Sequence, residues 1–175
     1  TIADKPSGTN INYRCGSLFP YKASQVVKKK KCNIGICLDG DGDRVILIDE
    51  KGDELKGEEL IFIFANYYLK NKSLKKRSKI VTNEIANFGL DIALDKLGLK
   101  LIRVKVGDKN ILQEIQKNKH LFGGEPAGHC IFRYDLLIGD GITTAIRIMS
   151  IMLKEGKKLS ELKKGLDLLN VLDIN

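Results

Sequence analysis

Asp39, Asp41 and Asp43 alternate with Gly40 and Gly42, and Arg44 follows at once. Carboxylates packed this closely repel one another, and each raises its neighbours' pKa unless a cation sits among them. The glycines let the backbone fold around such an ion without Cβ clashes. An all-oxygen donor set suits a hard cation: Mg²⁺ first, with Mn²⁺ and Ca²⁺ of the same chemistry. The spacing also fits the first, third and fifth places of an EF-hand, with Glu50 in the twelfth. Its sixth place, however, needs glycine and holds Arg44, and the flanks are strand-like rather than helical. A solvent-exposed acidic turn is the bland alternative, but it has no need of carboxylates pinned between two buried strands. Arg44 has two readings. It can hold a phosphate oxygen bidentately beside the ion, or it can be a structural partner for Asp43 or Asp49.

A second constellation is Gly123-Gly124-Glu125-Pro126-Ala127-Gly128-His129. A carboxylate and an imidazole on a glycine-rich turn can reach into a cleft and bond sugar hydroxyls, although a lone Glu or His is often only satisfied structure. Val106-Gly107-Asp108-Lys109 resembles a βα loop at a helix start, where an anion is accommodated and Lys109 adds charge.

The elements that must position these groups follow from hydrophobic pattern. Ile34 to Leu38 and Arg44 to Asp49 are short apolar runs rich in β-branched residues, predicting buried strands on either side of the acidic loop. Ser24 is expected to cap a short helix before them, and Asp49 to Gly52 closes the second strand as a turn. Glu58 and Glu59 open a helix running to about Leu69, apolar nearly all round and so expected between layers. Strands then follow at Lys79–Thr82, Leu99–Val104, Leu121–Phe122 and Cys130–Phe132. The helices expected between and after them are Phe88–Leu97, Asn110–Lys117 and Gly141–Lys154, with a last short one capped by Ser160. This alternation predicts an α/β fold with mixed, largely parallel sheets flanked by helices.

Composition excludes several classes. The 175 residues suit one domain or two small ones, and 43% hydrophobic with 30% charged residues is ordinary for a soluble globular chain. No secretory signal opens the sequence, and the longest apolar block, Leu60 to Leu69, is too short for a bilayer. Cys15, Cys32, Cys37 and Cys130 form no CxxC pair, so they are expected as free thiols in a reducing, cytoplasmic setting. The net charge of +8 comes from 24 scattered lysines and 6 arginines. The one dense run, Lys28 to Lys31, has no interleaved aromatics and no nucleic-acid module around it. Neither nucleic acid nor membrane is therefore expected as a partner, whereas a basic field favours a small anionic substrate.

Together the acidic loop, Val106–Lys109, Gly123–His129, Gly139-Asp140-Gly141 and the segment from Asp4 to Ser17 resemble the α-D-phosphohexomutase family, most closely its phosphoglucosamine mutase branch. The resemblance covers nearly the whole chain in order. It implies that residues 1–54 are the latter part of the family's second domain, 55–165 its third, and 166–175 the start of a linker to a fourth. It implies that Asp39, Asp41 and Asp43 bind one Mg²⁺, completed by a phosphoserine. Glu125, Ala127 and His129 would then lie on a sugar-binding loop, with Lys109 and Arg44 facing the cleft and Arg44 and His129 supporting catalysis. The implied reaction converts glucosamine 6-phosphate to glucosamine 1-phosphate, for cell-wall precursors, through a phosphoserine and a bisphosphate intermediate.

The chain departs from the family pattern at several points. No serine has the phosphoserine context, and no phosphate loop of RxSGTEP type is present. Ala127 stands where a serine is usual, Asn110 where this branch has an aromatic, and Ala86 and Val104 replace hydroxyl residues. Each lost partner in a buried site costs on the order of 1–3 kcal/mol. The chain alone is expected not to turn over, the missing domains being supplied by the parent polypeptide or another chain. The alternatives are a fragment of a phosphomannomutase or phosphoglucomutase, or a non-catalytic remnant serving as a scaffold.

Overall fold

The apolar runs on either side of the acidic loop fold back on each other. In the computed structural model, which describes residues 1–5, 7–134 and 137–170, β1 (Gly35–Leu38) pairs antiparallel with β2 (Val45–Ile48). Gly35 stands opposite Ile48, and Leu38 opposite Val45. Residues 39–44 are therefore the connection of a hairpin. Asp49 then closes the expected turn: it is buried, and its Oδ1 accepts from the backbone N–H of Lys51 and of Asp53, both at 2.9 Å. The turn leads into β3 (Glu54–Leu55), a two-residue strand with no sequence signal, which lines up antiparallel on β2. This first sheet is wholly antiparallel, so the parallel character expected for the fold lies in the second sheet alone.

That second sheet has the order β5-β4-β6-β7, built from β4 (Lys79–Asn83), β5 (Lys100–Val104), β6 (Phe122–Gly124) and β7 (Cys130–Phe132). β4 runs parallel to β5 and β6, and β7 returns antiparallel on β6. The crossovers are α3 (Gly89–Lys96) and α4 (Asp108–Asn118). Helix α2 (Gly57–Lys70) packs against β6 and the helices α3 and α5 (Gly141–Glu155), and its residues from Gly57 through Ala65 are all buried, as its all-round apolar pattern requires. Glu59 starts this helix by accepting the Lys56 N–H at 2.7 Å. The core is centred on Phe64, which meets Phe132 edge-on with ring centroids 5.0 Å apart and Phe122 at 6.0 Å. α5 covers the same core and is capped by Asp140, which accepts from Thr143 N at 2.9 Å.

Two expected caps are not caps. Helix α1 (Tyr21–Lys30) starts after Pro20, whose fixed φ suits a helix entrance, so Ser24 falls within the first turn. There it is buried, and its hydroxyl donates to Gly52 O across the gap to the Asp49 turn. Ser160 likewise lies inside α6 (Leu159–Leu162), behind Lys158, with its hydroxyl donating to Glu50 Oε1 at 2.6 Å. In both places a long-range acceptor outcompetes the local helix end. Residues 171–175, the end of the expected linker, lie outside the described residues. Among those described, no helix is long and apolar enough to cross a membrane.

All four cysteines are free, as expected, but they differ in environment. Burial pushes the Cys37 thiol up to about 11 and the Cys130 thiol up to about 12. A thiol-specific reagent at neutral pH is expected to label Cys15 and Cys32 in the native chain and to spare Cys37 and Cys130 until denaturant is added. Peptide mass mapping of the labelled chain reads this directly. Native labelling of Cys130 as fast as of Cys32 would contradict the packing of β7.

Candidate functional site

Because β1 and β2 are in tight register, the loop between them must reverse within residues 39–44. Gly42, at φ +77°, makes that reversal between Asp41 and Asp43. One carboxylate oxygen from each of Asp39, Asp41 and Asp43 then comes within 4.8 Å of the others. Asp39 Oδ1 also accepts the Arg44 N–H at 3.2 Å. The Arg44 Nε stands 3.6 Å from Asp39 and 3.7 Å from Asp43, so its carboxylate partners are in the loop itself. Asp49 is taken up by its own turn. Half-exposed, the guanidinium still presents a face to solvent.

Asp43 is the most constrained of the three. Its Oδ2 lies 3.2 Å from His129 Nδ1, while its Oδ1 is buried with no hydrogen-bond partner. Burial, then the neighbouring Asp39 and Asp41, hold its carboxyl above the usual aspartate range, and the His129 imidazole works against them. His129 is itself buried, and its Nε2 is also without a hydrogen-bond partner. An unsatisfied buried polar atom costs about 1–3 kcal/mol, so one such atom on each residue of this pair marks a place that ligands or solvent complete.

The glycine-rich turn is joined to the acidic loop by backbone. Arg44 and His129 form an antiparallel bridge, and Val45 N donates to Gly128 O at 3.3 Å. Gly57 N, at the head of α2, donates to Pro126 O at 2.9 Å. On the other side Gly141 N donates to Gly42 O at 2.9 Å, bringing the Gly139–Gly141 segment to the same seam. Side chains are excluded at these close approaches. A Cβ on Gly128, at φ +88°, would sit 2.0 Å from Val45 O, and one on Gly139 would sit 2.1 Å from the His129 ring. Three segments that are far apart in sequence thus meet at one place.

This place lies beyond the C-terminal ends of β4 and β6, where open α/β sheets bind their ligands. Glu125 directly follows β6, and its Oε1 accepts from Asn83 Nδ2, at the end of β4, at 3.1 Å. Ala127 is exposed on the turn. Lys109 stands apart, exposed on the first turn of α4 with no ion pair among the described residues. Two organisers carried no clear sequence signal. Asn83 fixes Glu125; its position at the end of an apolar strand was the only hint. Arg103 donates to Glu84 O at 3.0 Å and Ala86 O at 2.8 Å, pairs with Asp91, and lies 4.5 Å from the Phe88 ring centroid. It thereby shapes the loop that follows β4.

Comparison with known proteins gives the family and the fold. Residues 56–167 match the family model described as phosphoglucomutase/phosphomannomutase, alpha/beta/alpha domain III. The chain is 45% identical over 167 residues to a phosphoglucosamine mutase of Syntrophus aciditrophicus, covering 95% of this chain and 37% of that protein. It is 44% identical over 161 residues to the phosphoglucosamine mutase of Clostridium botulinum, covering 92% and 36%. The chain thus spans little more than a third of the length of the curated relatives it matches. Among solved structures, a phosphoglucomutase/phosphomannomutase family protein of Burkholderia thailandensis superposes with TM-score 0.75 at 21% identity, over 86% of this chain and 32% of that one. An N-acetylphosphoglucosamine mutase of Aspergillus fumigatus, solved with GlcNAc-6P and magnesium, gives 0.68 at 16% identity, over 90% and 41%.

Proposed function

The chain belongs to the phosphoglucomutase/phosphomannomutase family, and we propose that it is the metal- and sugar-binding portion of a phosphoglucosamine mutase. The reaction is the interconversion of glucosamine 6-phosphate and glucosamine 1-phosphate through a phosphoserine and a bisphosphate intermediate. One observation carries the reading: the Arg44–His129 bridge sets a three-carboxylate loop against a glycine-rich turn at the C-terminal ends of parallel strands. The phosphoserine and the loop for the distal phosphate are assigned to the remainder of the parent protein.

The residues present fit a divalent cation. Three hard oxygen donors converge, and the buried Asp43 Oδ1 accepts no hydrogen bond, with only the Arg44 guanidinium at 3.7 Å. Asp39, Asp41 and Asp43 would hold Mg²⁺, which when bound supplies Lewis-acid neutralisation of charge during phosphoryl transfer. Arg44 offers its guanidinium to a phosphoryl oxygen beside that site. His129 holds the Asp43 carboxylate in place from beneath the loop. Glu125, fixed by Asn83, accepts a sugar hydroxyl, and Lys109 at the head of α4 adds positive charge for the substrate phosphate. Ala127 brings no hydroxyl and His129 is buried against Asp43 rather than open to the sugar as expected, so Glu125 carries the polar recognition of the sugar on this turn.

The full-length parent protein, assayed side by side on glucosamine 6-phosphate, glucose 6-phosphate and mannose 6-phosphate, tests the proposal. Glucosamine 6-phosphate is expected to have the highest kcat/KM; a preference for mannose 6-phosphate would sink it.

Protons and the cation compete for the same oxygens. The Asp43 carboxyl, held high by burial and by Asp39 and Asp41, takes up a proton before an ordinary aspartate does as the solution is acidified. Mg²⁺ affinity from titration calorimetry is therefore expected to be flat at neutral pH. It should begin to fall while the pH is still above the ordinary aspartate value of about 4. In the metal-free chain the sign is the reverse: ionised Asp43 opposes folding above its raised pKa, and that opposition fades as pH falls through it. Affinity undiminished down to the ordinary range would contradict the arrangement.

A further inference from the structure

At the opposite end of the second sheet lies a cavity of about 380 Å³ that the mutase reading does not use. It is bounded by the residues entering β4, those entering β6 and those leaving β7, so it faces the N-terminal ends of the parallel strands. With the five residues of β4 between them, it stands roughly 13 Å of strand away from the Asn83 end. Its lining brings together Arg77, Lys79, Lys119 and Arg133, with the Ser78 hydroxyl and the Tyr134 ring beside them. Two of the six arginines in the sequence are here.

Cations predominate in this lining. Among the described residues none of the lining is acidic, and none of the four cations makes an ion pair, whereas Arg44, Lys70, Lys100, Arg103, Lys157 and Lys163 all do. The nearby acid Glu114 is already engaged, accepting from His120 at 3.0 Å and from Asn118 at 2.8 Å. The Arg133 guanidinium is held in place, and the backbone is fixed at Lys119 and Arg77. Arg133 Nη1 donates to Lys119 O at 3.0 Å, and its guanidinium lies 5.0 Å from the Tyr134 centroid. Lys119 is the left-handed end residue of α4, and Arg77 N is held by Gly98 O at 2.6 Å. Like charges gathered in one concavity repel one another, and an anion relieves that repulsion.

We propose that this cavity binds a polyphosphate anion, at a site separate from the acidic loop. A single phosphate monoester carries about two negative charges. Four cations match a chain of two or more phosphoryl groups, and the volume accommodates one. Arginine forks and the Ser78 hydroxyl suit phosphoryl oxygens. Pyrophosphate and the phosphate chain of a nucleotide share this chemistry, and the exposed Tyr134 ring offers a stacking face only to the second.

The test uses the full chain in EDTA, so that the acidic loop contributes nothing through a metal. Pyrophosphate, ATP, adenosine and a short single-stranded RNA are titrated separately by calorimetry, and amide shifts are followed by NMR. Pyrophosphate and ATP are expected to bind, adenosine is not, and shifts should cluster at residues 73–79, 119–121 and 133–134. The double variant Arg77→Ala/Lys119→Ala, altered at two exposed side chains, is expected to bind at least about 10-fold more weakly with its melting temperature unchanged. Equal affinity for pyrophosphate and ATP identifies the phosphate chain alone as the determinant. Tighter ATP binding that Tyr134→Ala removes identifies a nucleotide. Three results overturn the site: no binding of either ligand, binding that the double variant leaves intact, or single-stranded RNA that binds more tightly than both. The last would make the patch a nucleic-acid surface.

Discussion

Asp43→Asn in the full-length parent protein is expected to lower mutase kcat/KM on the order of 100-fold or more and to remove measurable Mg²⁺ binding. The side chain keeps its volume, and its remaining carbonyl oxygen can still face His129 Nδ1, now 3.2 Å from the carboxylate. What disappears is one of the three negative charges around the ion. The metal-free variant should melt no lower than the parent, and slightly higher at neutral pH, because a carboxylate that burial and two neighbouring acids disfavour has been removed. Activity and stability thus move in opposite directions, a pattern that misfolding does not produce. Thermal melts, calorimetric Mg²⁺ titration and steady-state kinetics on one preparation read all three. Retained Mg²⁺ binding with lost activity would remove Asp43 from the metal site.

Gly128→Ala is expected to destabilise the chain by about 3 kcal/mol, or roughly 6–12 °C in melting temperature. A methyl there is strained by φ +88° and would meet Val45 O at 2.0 Å and Val45 C at 2.9 Å. Neither atom can yield, because Val45 opens β2, the central strand of the first sheet. Gly42→Ala is the control. Its φ of +77° is equally unfavourable, but nothing lies within 4 Å of the added carbon. That variant bears only the conformational cost of about 1–2 kcal/mol. The difference between the two isolates the close approach of the turn to β2. Equal losses would mean that the seam is loosely packed.

Much of the site was legible because its chemistry is local. The acidic loop is six consecutive residues, and the runs flanking it predict the strands that present it. The helix apolar on all sides, α2, had to be buried, and from Gly57 through Ala65 it is. What the sequence did not disclose depends on partners distant in the chain. Ser24 and Ser160 carry a cap's residue type, yet their hydroxyls are taken by Gly52 and Glu50, 28 and 110 positions away. β3 is two residues long and exists only because β2 offers an edge. The antiparallel pairing of β1 and β2, by contrast, was within reach of the sequence, since a six-residue connection is too short for a parallel crossover. Asn83 and Arg103 are single polar residues in strands, and only the folded sheet shows what they hold.

The backbone seam among Gly42, Val45, Gly128 and Gly141 has a thermodynamic corollary. An ion that rigidifies residues 39–44 also rigidifies the turn that carries Glu125, because the Val45 N–H donates to Gly128 O, while the Gly141 N–H ties a third segment to the loop at Gly42 O. A ligand ordering the turn returns the same free energy to the ion, since coupling between two sites is reciprocal. The two occupants should therefore bind with positive heterotropic cooperativity even though no side chain need contact both. The amide protons of Val45 and Gly141 would record it: either ligand alone should slow their exchange with solvent, at an address remote from its own contacts.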